Sequence, residues 1–200
     1  MSHACCGPNP ARDISYRRVL WIALFANAAM FLVELAAAVF SGSSALAADA
    51  ADFLGDSANY ALSLGAIALG GAWVSRVALL KGLAMSVYGV AVLAYAGWRA
   101  WLGVPPEAVT MGVIGLLALA VNFSVAAMLY RFRDGDANMK SVWLCTRNDV
   151  IANIAVLVAA AGVFGTGTVW PDVAVAAMLA VLGLSSGRIV IRQARAELGA

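Results

Sequence analysis

Six apolar stretches, at about 19–40, 43–69, 77–102, 109–132, 141–164 and 172–190, take up most of the sequence. Each is close to the roughly 20 residues a helix needs to cross the hydrocarbon core of a bilayer. In lipid every backbone polar group must be satisfied from within, which a helix does along its own length. The expected fold is therefore all-α: a polytopic membrane protein with a bundle of six transmembrane helices. Composition agrees, since 63% of residues are hydrophobic and 12% charged. A soluble domain of this size carries about 25% charged residues, and the mean hydropathy of +0.87 implies more apolar surface than one water-bounded core could hide.

The polar segments order the chain. Residues 1–16 contain two prolines, a glycine and no periodicity, so a short mobile tail is expected, followed by a helical domain over 17–192 and a short tail over 193–200. Pro105 and Pro106 break the chain between the third and fourth stretches, and the link RFRDGDANMK closes the fourth. With six spans, Arg12, Arg17, Arg18, Arg76, Lys81, Arg131, Arg133, Lys140, Arg188, Arg192 and Arg195 fall on one side, eleven in all, against Arg99 opposite and Arg147 within a span. Basic residues mark the cytoplasmic side, so both termini are expected in the cytoplasm and the protein in an inner, plasma-type membrane. The first apolar run follows a polar tail and is long enough to span, so no signal peptide is expected. A net charge of +2 gives no reason to expect a nucleic-acid partner; the lipid bilayer is the expected surroundings. Cys5, Cys6 and Cys145 make no disulfide framework and are read as free thiols.

Acids inside these spans carry the chemistry. Asp52 and Asp56 lie four residues apart in the second stretch, on one helical face, where ionisable groups are costly and mark pathways or binding sites. Counted from the outer end, they are about 14 to 20 Å deep at 1.5 Å per residue. Cys145 and Asp149 repeat the spacing in the fifth stretch, about 10 to 17 Å from the inner end. Two facing helices could thus bring Asp52, Asp56, Cys145 and Asp149 to one point near mid-membrane, the four donors a tetrahedral divalent ion takes. A thiolate favours zinc, cadmium and other soft ions over magnesium or calcium. Ligands bind metal only after losing protons, which is a physical basis for exchanging metal against protons.

The stretch NAAMFLVELAAAVFSGSSALAADAADFLGD, the run CTRNDVIANIAVL and the WPD that opens the last helix resemble the transmembrane domain of the cation diffusion facilitator, or cation efflux, family, over about 17–192. In that family the second and fifth helices each carry a two-ligand motif, His or Asp followed after three residues by Asp. Here the motif falls on Asp52 and Asp56 and on Cys145 and Asp149. The resemblance implies export of a divalent metal by alternating access, in exchange for protons and as a homodimer. Cys145 stands where the family usually has histidine or aspartate, so the family's metal preferences do not carry over. The histidine-rich link some members have between the fourth and fifth helices is absent. The chain ends soon after the sixth stretch, so the family's usual C-terminal cytosolic domain is expected to be missing.

The remaining polar residues have plainer readings. Asp49 shares the stripe of Asp52 and Asp56 nearer the outer end and is expected to support the ligands or contact another helix. Glu34, Asn27, Asn59, Asn122, Asn148 and Asn153 are expected to hydrogen-bond between helices, and Arg147 to snorkel to the inner surface. His3, Cys5 and Cys6 are the only other donor cluster and could capture a thiophilic ion. The expected function is a zinc- or cadmium-type exporter working by metal/proton antiport, with the metal as substrate and no organic cofactor. The alternative is a membrane metal-binding or sensing protein that does not translocate its ion. An intramembrane hydrolase is disfavoured, because His3 is the only histidine and no nucleophile elbow is present.

Overall fold

The structure is a computed structural model that describes residues 10–69, 71–134 and 137–199; His3, Cys5 and Cys6 lie outside the described residues. It contains helices α1 (Pro10–Ser41), α2 (Ser44–Leu69), α3 (Gly71–Leu102), α4 (Ala108–Tyr130), α5 (Ala137–Thr166) and α6 (Trp170–Gly199), and no strand among the described residues. The all-α, six-helix expectation holds.

Several helices outrun the apolar stretches. α1 begins at Pro10, so residues 10–16 are helical and not a mobile tail. Proline suits a first helical position, where its missing N–H has no partner to lose. Tyr16 is buried and its ring meets that of Phe132 at 5.0 Å. α6 likewise runs on through most of the expected C-terminal tail, in a segment of good helix formers, RQARAEL. Apolarity sets where a helix meets lipid, whereas propensity and caps set where it stops.

Four helical segments, Ile14–Ser41, Ala108–Tyr130, Cys145–Thr166 and Trp170–Ala196, are long and apolar enough to cross a membrane. The other two helices are the ones with three aspartates (α2) and with Arg76, Lys81 and Arg99 (α3). Large apolar side chains cover the outside of the bundle, among them Phe25, Val87, Phe123, Val158 and Phe164, as an integral membrane protein requires.

The helices pair as α1 with α2, α4 with α5 and α3 with α6, and α2 also packs on α3, α5 and α6. Its first turns explain this central place. Residues 44–50 of α2 are all buried, and most are alanine or serine, whose small side chains let several backbones approach at once. At the α3–α6 crossing a Cβ on Gly187 would lie 2.8 Å from Ser86 Oγ and 3.1 Å from the Gly82 carbonyl oxygen, so glycine lets the two helices approach this closely without a shift.

The ends of the helices are closed locally. α1 stops at Gly42, in the left-handed region at φ +72°, with its N–H on the Ala38 carbonyl at 2.9 Å; glycine adopts that conformation without the Cβ penalty. Ser43 then caps α2, its Oγ accepting the Leu46 N–H at 3.0 Å. The capped end is held by the buried Asp172 of α6, whose carboxylate accepts the Ser43 and Ser44 hydroxyls at 2.5 and 2.6 Å and the Ser44 and Ala45 N–H groups at 2.8 and 3.0 Å. The turn before α4 joins the same end through the Glu107 N–H and the Ser41 carbonyl, 3.0 Å.

Two apolar clusters fill the interior. One, near these turns, includes Ala38, Leu46, Val92, Met111, Val156, Ala160 and Leu179. The other, toward the opposite end, joins Tyr16, Leu20, Tyr60, Leu64, Val125, Leu129 and Val142. Between them in sequence on α1, α2, α4 and α5 lie Asn27, Glu34, Asp49, Asp52, Asp56, Asn122, Asp149 and Asn153. Only the small Met30, Phe53 and Ala118 cluster shares that layer.

Candidate metal centre

α2 and α5 pack directly, and the i, i+4 spacing puts each pair of candidate ligands on one face of its own helix. Asp56 is 6% exposed, Asp52 and Asp149 are half-buried, and Cys145 is exposed. The Asp149 and Asp56 carboxyls meet within hydrogen-bonding range, and Asp52 and Cys145 are within electrostatic range of Asp149. Asp149 Oδ2 is buried and receives no hydrogen bond. Asp56 and Asp149 thus meet across the α2–α5 contact, with Asp52 and Cys145 one turn away on their own helices. Among the described residues no three His, Cys, Asp or Glu side chains stand close enough together to hold an ion as they are. Buried oxygens without donors are the kind of group a cation satisfies.

Two further side chains belong to this centre. The Tyr60 hydroxyl lies 3.3 Å from Asp56 Oδ2 and 2.7 Å from Thr146 Oγ1, and Thr146 itself donates to the Val142 carbonyl at 3.1 Å. Tyr60 follows Asp56 by four residues and Thr146 follows Cys145 by one, so the helical face that exposed the acids also contained the tyrosine. The threonine lay off that face in sequence.

Next to the centre, toward the α1–α2 turn, a second polar group crosses four helices. Asn122 of α4 donates Nδ2 to Asn153 Oδ1 on α5 at 3.0 Å, and Asn153 donates its own Nδ2 to both oxygens of Asp49 on α2 at 2.8 Å. Asp49 in turn meets the Glu34 carboxyl of α1 within hydrogen-bonding range. Asn122, Asn153 and Asp49 therefore make the interhelical contacts expected of them, whereas Glu34 meets Asp49 but receives no hydrogen bond. Asn27 does not: its amide donates to the Ala23 carbonyl of its own helix at 2.9 Å, because a short side chain one turn from a backbone carbonyl reaches it more readily than a neighbouring helix. Asn148 is exposed and accepts from Arg147 beside it at 3.3 Å. Arg147 is exposed and its guanidinium stands 5.5 Å from the Trp143 ring centre, away from the acids, as snorkelling requires.

The cation efflux transmembrane domain family matches residues 20–198. The chain is 28% identical over 189 residues to the metal cation efflux system protein CzcD of Cupriavidus metallidurans, covering 88% of this chain and 59% of that protein. It is 26% identical over 189 residues to the cadmium, cobalt and zinc/H(+)-K(+) antiporter of Bacillus velezensis, covering 86% of this chain and 60% of that protein. The chain thus spans somewhat over half the length of these relatives. With the family matched over nearly its whole length, the chain belongs to the cation efflux family, as a transmembrane domain of it.

Proposed function

We propose that this chain carries a divalent transition metal, zinc or cadmium, out of the cytoplasm in exchange for protons. The observation that carries the proposal is the meeting of Asp56 and Asp149 in a polar layer between two apolar clusters, with Asp52 and Cys145 within electrostatic range. A small displacement of α2 against α5 would draw these donors onto one ion, and the soft thiolate would favour zinc or cadmium over hard cations. The relatives named as efflux proteins and as an H(+)-coupled antiporter support the same reading. In it the ion is exposed to each side in turn as helices rock, both termini are cytoplasmic in an inner-type membrane, and the active form is a homodimer. The last two points rest on the charge distribution and on the family, respectively.

Proteoliposomes with an imposed pH gradient test the proposal. Wild-type protein should move zinc down the counter-gradient, and Asp56→Ala or Asp149→Ala should abolish that flux. Wild-type-like flux in both variants would falsify the ligand assignment. Stoichiometric zinc binding by the wild type without flux would instead identify a metal-holding or sensing protein.

A further inference from the structure

Glu34 is a carboxyl in the central layer that the metal centre does not use. It is 0% exposed, and neither of its oxygens receives a hydrogen bond. Across the α1–α2 contact its carboxyl meets that of Asp49, which is 1% exposed. The charged and titratable groups facing Glu34 are Asp49 and Asp52 on α2 and Tyr88 on α3. On α4 and α5 the group presents only the amides of Asn122 and Asn153. Among the described residues no lysine or arginine acts on either carboxyl.

Two ionised carboxylates in contact repel, and more strongly where water is excluded. A single proton between them converts the contact into an O–H···O hydrogen bond, the donor that Glu34 otherwise lacks. A metal cation fits the place less well. Asn122 holds the Asn153 carbonyl oxygen, so Asn153 turns its N–H groups, not its oxygen, toward Asp49, and donor hydrogens facing a site repel a cation.

We propose that Glu34 and Asp49 together form a proton site, distinct from the metal ligands, and that its proton is one of those exchanged for the metal. Asp49 precedes Asp52 by three residues and Asp56 by seven, a rise of about 4.5 to 10 Å along α2. A divalent ion at that distance in a medium of low dielectric favours the ionised pair. On metal arrival the O–H bond of the pair breaks and its proton passes to water on the side the site then faces. By reciprocity, a proton reloaded onto the pair weakens metal binding, so the two cargoes compete through charge without sharing a ligand.

The inference rests on the antiport reading, and the experiment separates the two. Full-length protein in proteoliposomes is followed by infrared difference spectroscopy on adding zinc, and by parallel dyes for zinc and internal pH. In wild type, zinc should remove carboxylic-acid carbonyl intensity from the pair in addition to any that the metal ligands lose. Glu34→Gln and Asp49→Asn, each still binding zinc stoichiometrically, should both lose the same component of that band change and should move one proton fewer per zinc ion, and Glu34→Asp should restore both. A band change equal to wild type in both variants overturns the shared proton. Loss of that component with an unchanged proton-to-zinc ratio overturns the carrier role and leaves the exporter reading standing. Wild-type zinc flux without any proton flux overturns the antiport reading and the carrier role with it, while the band still decides whether the pair holds a proton.

Discussion

Tyr60 has one hydroxyl proton and two claimants, Asp56 Oδ2 at 3.3 Å and Thr146 Oγ1 at 2.7 Å. Thr146 already donates to the Val142 carbonyl, so the single Tyr60 hydroxyl spans Thr146 Oγ1 and Asp56 Oδ2 and links α5 to the Asp56 carboxylate. An ion that draws Asp56 toward Asp149 would shift that shared contact. The ring itself packs among Leu64, Val125 and Leu129, which a phenylalanine would preserve. Tyr60→Phe should therefore fold normally yet change zinc affinity by about 10-fold, the usual scale for groups that orient a metal ligand. Calorimetric titration of the solubilised protein gives the answer, and an unchanged Kd would reduce Tyr60 to packing alone.

At the level of the helix, Asp172 fastens α6 to α2. Its carboxylate lies at the positive end of the α2 dipole and takes four hydrogen bonds from Ser43, Ser44 and Ala45. Gly42, at the end of α1, is required by its φ of +72°; a Cβ there would meet only the flexible end of the Arg99 side chain. The register of the α1–α2 turn, and with it the depth of Asp49, Asp52 and Asp56, depends on this clasp. Asp172→Ala leaves buried hydroxyls and N–H groups unpaired and should destabilise the protein by about 3 kcal/mol. Thermal unfolding in detergent should register a clear fall in Tm, with Asp172→Asn intermediate; a Tm equal to wild type would mean that water replaces the carboxylate there.

For the molecule as a whole, the polar layer lies between apolar clusters at both ends, and large apolar side chains cover the outside of the bundle. Phe123 is 64% exposed in the middle of α4, opposite the buried Asn122, whereas Trp101 is 88% exposed at the end of α3. A charge in mid-membrane costs about 2.5–3.5 kcal/mol on insertion scales and far less near the interface. Phe123→Lys should thus sharply reduce the membrane-inserted fraction, and Trp101→Lys should leave it nearly unchanged. Equal yields of the two in isolated membranes would show that the α4 face does not meet lipid.

The sequence by itself was enough for the number and type of helices and for marking which acids lie within them. Run length, apolarity and the i, i+4 spacing of Asp52 with Asp56 and of Cys145 with Asp149 are local properties, and burial cost makes each acid conspicuous wherever its helix packs. Helix ends were less legible, because residues 10–16 and 193–199 extend α1 and α6 through propensity and not through apolarity. What only the tertiary structure decided was how the helices are rotated and paired. The Asp172 clasp joins residues well over a hundred positions apart, Thr146 reaches Tyr60 from off the acid face, Asn27 turns to its own backbone, and Glu34 meets Asp49 without a donor. Each depends on close contacts between small residues on neighbouring helices, and such packing is a property of two surfaces together that neither segment states alone.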